Sequence, residues 1–375
     1  MSSGPVRPLR SLGQDRPLDC LADFRAPVWL PGGHAQTIWS ALWARRTDGP
    51  PIVFQRERWT TPDGDFIDVD LRPVADPAAP WLVLFHGLEG SSSSQYAQSF
   101  AEVAARRGWS YAVPHFRGCS GELNLAPRAY HSGDYEEIGW ILARLRRRAA
   151  APLRVVGISL GGNALLRWAA EAGASAAGVA QSVAAVCAPL DLAAGGHAIG
   201  RGFNRLVYTR MFLRSMKPKA LAKLAQHPGL FDRQRMSAAR DLYDFDNLFT
   251  APLHGFRDTD DYWARASAQP HLDRIRIPAL ALNAANDPFV PARSLPQAGA
   301  VGPWVTLWQP PHGGHVGFPA GRPPGHVRSM PMAVAAWLAN PSGSLPDPLL
   351  RVRPSEGLKE LGQDRPVVPG GRRDG

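Results

Sequence analysis

LRVVGISLGGNALLRWAAEAG, residues 153–173, decides the fold. Its first six residues read as a mainly apolar strand, and the stretch from Leu160 has helical periodicity, with Gly173 as its stop. Between strand and helix lies Gly157-Ile158-Ser159-Leu160-Gly161, a G-x-S-x-G sequence. A turn that tight holds its serine in a strained conformation with the hydroxyl exposed, and needs small residues on either side. The helix that follows offers its positive N-terminal end to an anion beside Ser159. The competing reading is a Gly-rich turn with a capping serine.

Outward from this stretch the pattern repeats. Upstream, IVFQRERW and FIDVDLRP read as an opening antiparallel pair joined at Pro62-Asp63-Gly64. WLVLFHG and WSYAVPHF follow as strands separated by a helix from about Gln95 to Arg107, and a second helix runs from about Asp134 to Arg148. Downstream, strands are expected near Ser182 to Ala188, Ala279 to Asn283 and Trp304 to Gln309. Such alternation predicts an α/β fold, a mostly parallel central sheet with helices on both faces. Residues 191–270 break it between the sixth and seventh strands. An insertion there suits a lid above the carboxyl edge of the sheet, where open α/β sheets bind ligands; a purely structural excursion is the alternative.

A serine hydroxyl is a poor nucleophile at neutral pH, so Ser159 needs a base, and the base needs an orienting acid. Both should follow late strands. Asp287, in ALNAANDPFVP, lies just beyond the seventh strand and is the expected acid; an Asx-turn before Pro288 is its bland reading, and Asp191 in CAPLDL is the runner-up. PHGGHVGF, residues 311–318, offers two histidines. His315, after two glycines and before an apolar anchor, is the expected base, with His312 bracing the loop. The H-x-x-H spacing also admits a metal site, but neither HExxH nor a cysteine cluster accompanies it. Donors for a developing oxyanion are expected from the backbone N–H groups of Leu160 and Leu88, the latter in a loop that His86 and Gly87 bring close to the serine. Glu89 and Ser91 to Ser94 could line the entrance, and Phe203, Phe212 and His86 are expected at the substrate pocket.

The chain has 375 residues, 45% hydrophobic and 20% charged, enough for one large α/β domain over 26–340, with tails at 1–25 and 341–375 that share the hexapeptide LGQDRP. Its formal net charge of +10 invites a nucleic-acid reading, but the basic residues read as scattered and no base-reading motif accompanies them, so no nucleic-acid partner is expected. Cys20, Cys119 and Cys187 form no CxxC pair, which suits a reducing compartment. With no signal-like or membrane-spanning run, a cytoplasmic location is the expectation, with transient contact at a membrane surface admitted by the charge.

Several stretches together resemble the YheT-type branch of the α/β-hydrolase superfamily, related to the abhydrolase-domain lipid hydrolases. They are WLPGGHAQTIW (29–39), HGLEGSS (86–92), HFRGCSGE (115–122), YHSGD (130–134), GISLGGNALL (157–166), DFDNLFTAPLHGFRDTDDYW (244–263) and HGGHVGF (312–318). The resemblance runs from about Ala26 to Ala339. It implies that superfamily's fold, with Ser159 as nucleophile, Asp287 as acid and His315 as base, and hydrolysis of acyl or lipid-like carboxylic esters without a cofactor. The same residues could serve acyl transfer or thioester or amide cleavage, and a binding protein that has lost turnover is the alternative from another class.

Overall fold

A computed structural model of the protein describes Leu21 and residues 24–49 and 52–341. The two LGQDRP copies lie outside these residues. Eight strands form one sheet: β1 (Gln55–Thr60), β2 (Phe66–Arg72), β3 (Trp81–Phe85), β4 (Ser110–Pro114), β5 (Leu153–Ile158), β6 (Ala180–Val186), β7 (Ala279–Leu282) and β8 (Val305–Trp308). Their spatial order is β1-β2-β4-β3-β5-β6-β7-β8. β2 pairs antiparallel with β1 and with β4; every other pairing is parallel.

The apolar runs become the middle of the sheet because both of its faces are covered. β3 and β4 are buried along their whole length, whereas edge strand β1 is mostly exposed. Alternate residues of β5 feed different cores. Val155 packs with Ile138, Ile141 and Leu142 of α3 (Tyr135–Arg146) and Leu165 of α4 (Leu160–Ala172). Val156 and Ile158 pack on the other face with Phe100 of α2 (Gln95–Arg106) and Val334 of the helix Ser329–Ala339. A side chain of this size, fully buried, contributes about 1.5–3 kcal/mol, so the two layers fix the sheet's register.

Two helices have no counterpart in the sequence reading. One is Ser329–Ala339, which closes the second face; the other is α1 (Gly32–Leu42), which precedes the sheet in the chain. Between β6 and β7 the chain has helices joined by turns and no strand, from α5 (Leu192–Ile199) through the continuous helical run Gly202 to Gln226 and on to the helix Thr259–Ala266. Among the described residues no helix is long and apolar enough to cross a membrane.

Candidate active site

Ser159 stands between the end of β5 and the start of α4 with φ 52° and ψ −118°. A non-glycine residue there carries on the order of 1–3 kcal/mol of backbone strain, which the surroundings must hold in place. They do so through the Ser159 N–H, which donates to the Val186 carbonyl at 2.8 Å, and through the Ser159 carbonyl, which accepts the Gly162 N–H at 2.9 Å. The flanking glycines are steric requirements. A Cβ on Gly157 would come within 2.4 Å of the Gly161 carbonyl oxygen, and one on Gly161 within 2.5 Å of the His86 carbonyl oxygen.

His315 Nε2 lies 3.0 Å from Ser159 Oγ, and His315 Nδ1 lies 2.9 Å from Asp287 Oδ2. A carboxylate only accepts, so the Asp287 contact puts the proton on Nδ1 and leaves Nε2 free to accept from the serine hydroxyl. The Asp287 side chain is fully buried, and its other oxygen accepts the Phe289 N–H at 2.7 Å and the Val290 N–H at 3.3 Å. The ring of Phe289 packs 4.1 Å from the imidazole, centroid to centroid, which limits its rotation. The other two candidates are engaged elsewhere or stand apart. Asp191 caps α5 by accepting the Ala194 N–H at 2.9 Å, and His312 is not part of the cavity wall at Ser159.

α1 holds these loops together. Gln36 Oε1 accepts the Gly313 N–H at 2.9 Å and the Asn286 side-chain amide at 3.0 Å, while Thr37 Oγ1 accepts the His315 N–H at 2.8 Å and donates to the Gly33 carbonyl at 2.7 Å. Two adjacent residues thus tie the loop of Asp287 to the loop of His315. Sequence reasoning missed them. The only signal was the stretch WLPGGHAQTIW, whose polar residues carry no chemistry of their own.

Leu88 and Leu160 both border the cavity that contains Ser159 and His315. As the first residue of α4, Leu160 has no carbonyl one turn back for its N–H. His86 and Phe203, expected at the pocket, are not among the residues that line it. His86 is wholly buried, donates through Nδ1 to the Gly87 carbonyl at 2.8 Å and accepts the Phe116 N–H on Nε2 at 3.0 Å. Burial holds its pKa down at about 3, with the charge of His115 adding to the effect, so the ring is a neutral strut. Phe203 points outward, half-exposed, its ring edge-on to His34; Phe212 faces the cavity. Ser91 to Ser94 are also absent from the lining, being bonded among themselves and, through Ser92, to Asp70. Glu89 does border it. At φ 57°, its N–H donates to the Tyr130 hydroxyl at 3.0 Å, and its carboxylate accepts from Tyr130 at 2.9 Å and from Lys219 Nζ at 2.9 Å.

The cavity has a volume of about 160 Å³, and much of its wall comes from the segment between β6 and β7, including Ile199, Phe212, Met216 and Phe249. Asp246 stands among these apolar side chains. It accepts the Thr250 hydroxyl at 2.6 Å and the Trp263 indole N–H at 3.0 Å, and desolvation pushes its carboxyl up to about 6. Cys187, Asp287 and His315 bring potential metal-ligating atoms within 4.8 Å of one another. Hydrogen bonding accounts for that proximity. Asp287 is bonded to the imidazole, and the Cys187 sulfur accepts the Val316 N–H at 3.2 Å. Burial raises the thiol's pKa well above its usual value, followed by the nearby Asp287 charge.

The family model described as alpha/beta hydrolase fold matches residues 80–321, and the chain belongs to that family. Within it the chain is of the YheT type. It is 40% identical over 293 residues to the Escherichia coli (strain K12) protein named "Putative esterase YheT", covering 77% of this chain and 84% of that one. It is also 27% identical to Phospholipase ABHD3 of Homo sapiens, over 78% of this chain and 72% of that one. A Saccharomyces cerevisiae (strain ATCC 204508 / S288c) protein named Monoacylglycerol lipase is 27% identical over 65% of this chain and 56% of its own length. These relatives carry esterase and lipase names, and the chain is a member of a hydrolase family.

Proposed function

We propose that the protein is a serine carboxylic-ester hydrolase that works through an acyl-enzyme on acyl or lipid-like esters. The observation that carries this reading is the unbroken hydrogen-bonded series from Ser159 Oγ through His315 to the buried Asp287. His315 Nε2 takes the serine proton as Oγ attacks the ester carbonyl. Asp287 keeps the imidazole in the right tautomer and stabilises its charge. The Leu88 and Leu160 N–H groups receive the developing oxyanion, aided by the positive end of α4. The protonated imidazole then gives its proton to the departing alcohol. Water, deprotonated by the same nitrogen, attacks the acyl-enzyme and releases the acid, restoring Ser159. Each step draws on side chains and backbone groups of this chain.

The segment 191–270 is the lid of this reading, roofing an apolar pocket that suits an acyl chain. The esterase, phospholipase and lipase names of the relatives agree with a substrate of that class. A turnover screen across p-nitrophenyl esters of increasing chain length and phospholipids, with Ser159→Ala as control, tests it. Saturable hydrolysis that the alanine variant lacks is the expected result. Turnover surviving in the variant, or none by the wild type on any ester, would refute the proposal.

A further inference from the structure

The charge of the chain is not scattered. The 40 residues between Asp191 and Asp232 hold seven Lys or Arg and no Asp or Glu, so +7 of the formal net charge of +10 falls in about a tenth of the sequence. All of it lies in the insertion over the cavity. The helical run Gly202 to Gln226, with Arg201 just before it, has two sides; Lys219 is paired with Glu89, and Lys217 donates to the Ser237 carbonyl. Inward go Phe212, Met216, Ala220 and Lys223, which line the cavity beside Ser159. Outward go Arg201, Arg205, Arg210 and Arg214, all exposed, and none of the four makes an ion pair with a described residue. Between them stand three exposed apolar side chains: Leu206 at 64% exposure, Met211 at 56% and Phe203 at 50%, the last with one edge against His34.

Arginines without ion-pair partners among the described residues, interleaved with exposed large apolar residues in a stretch of sequence free of any carboxylate, are the composition of a helix that lies in the headgroup layer of an anionic lipid surface. The guanidinium groups meet the phosphates, while Phe203, Leu206 and Met211 reach past them toward the acyl chains. A duplex nucleic acid would use the charge but would leave the three apolar side chains in water. We infer that the outer face of the insertion, from Arg201 to Arg214, is a docking surface for anionic lipid bilayers. The face is the back of the same helical run that walls the cavity, so docking brings that wall close to the surface in which lipid esters reside. Binding itself does not depend on the hydrolase reading; the supply of substrate does.

The test is co-sedimentation of the full chain with phosphatidylcholine vesicles, with and without phosphatidylglycerol, at low and high salt. Wild type is expected to bind the anionic vesicles, weakly the neutral ones, and to be released by salt. Arg201→Gln, Arg205→Gln, Arg210→Gln and Arg214→Gln combined should weaken anionic-vesicle binding roughly tenfold or more, and Leu206→Ser with Met211→Ser several-fold. Thermal melts matching wild type establish that both variants are folded; should the combined arginine variant fail to fold, the four single variants replace it, each with a partial loss. Because sedimentation needs no turnover, its failure is distinct from failure of the catalytic proposal. Equal binding to both vesicle types, or wild-type binding by either folded variant, would overturn the inference. So would self-association in the absence of lipid that the same substitutions abolish, which would assign the face to a second copy of the chain.

Discussion

Asp246 is an acid placed where ionisation costs stability, and replacing it by asparagine measures that cost. Its pKa rises from an ordinary value of 3.8 to about 6 because the carboxyl is desolvated among the apolar residues of the cavity wall, with the hydroxyl of Thr250 and the indole of Trp263 only partly offsetting the effect. A raised folded-state pKa means that the folded protein holds this proton more tightly than the unfolded chain. The stability that the proton contributes is therefore complete below about pH 4, is lost as pH rises through about 6, and stays lost above. At about 1.4 kcal/mol per tenfold change in proton affinity, the full difference approaches 3 kcal/mol. Asp246 keeps some surface toward the cavity, and water there screens the charge, so about 1–3 kcal/mol is expected. Asparagine retains an oxygen for the Trp263 N–H, and the Thr250 hydroxyl can turn to accept from its amide. Asp246→Asn should thus gain on wild type by that amount between pH 4 and pH 7. Urea unfolding of both proteins at unit pH intervals reads the difference. A difference that is flat with pH, or that moves against the variant as pH rises, would refute the reasoning.

Asp287→Asn should preserve the fold and lower kcat by up to about 10⁴, while Asp191→Asn, at a helix cap that asparagine also fills, should leave kcat nearly unchanged; steady-state kinetics of both compares them. Thr37→Val removes the oxygen that accepts the His315 N–H, and a buried donor left unpaired costs about 1–3 kcal/mol, so a loss of roughly tenfold or more in kcat with little change in KM is expected. Phe212→Ala enlarges the cavity wall and should shift ester preference toward longer or bulkier acyl groups in a chain-length series; an unchanged series would take Phe212 out of the pocket.

The middle of the sheet was legible because its strands are buried on both faces and read as apolar runs, unbroken in Trp81 to Phe85 and interrupted only by Arg154 in Leu153 to Ile158. The strand-turn-helix around Ser159 was legible for a steric reason: only glycines fit at 157 and 161, and they leave a mark in the sequence. The role of α1 was not, since Gln36 and Thr37 hold the site through partners 250 to 278 residues away in the chain. Asp246 was equally silent, because an aspartate announces its charge and not its burial. Phe203 and Phe212 show a limit of reading by periodicity. The π-helical turn Arg205–Thr209 between them changes the residues per turn, and the sequence does not announce it; one ring lines the cavity and the other stands outward.

The central claim is that His315 makes Ser159 the reactive nucleophile of this site. Peptide mapping by mass spectrometry after treatment with a fluorophosphonate tests it most directly, since such probes are captured only by an activated serine. One stoichiometric adduct is expected, on the peptide that carries Ser159, with labelling nearly abolished in His315→Ala. An adduct on another residue, or undiminished labelling of Ser159 without His315, would contradict it.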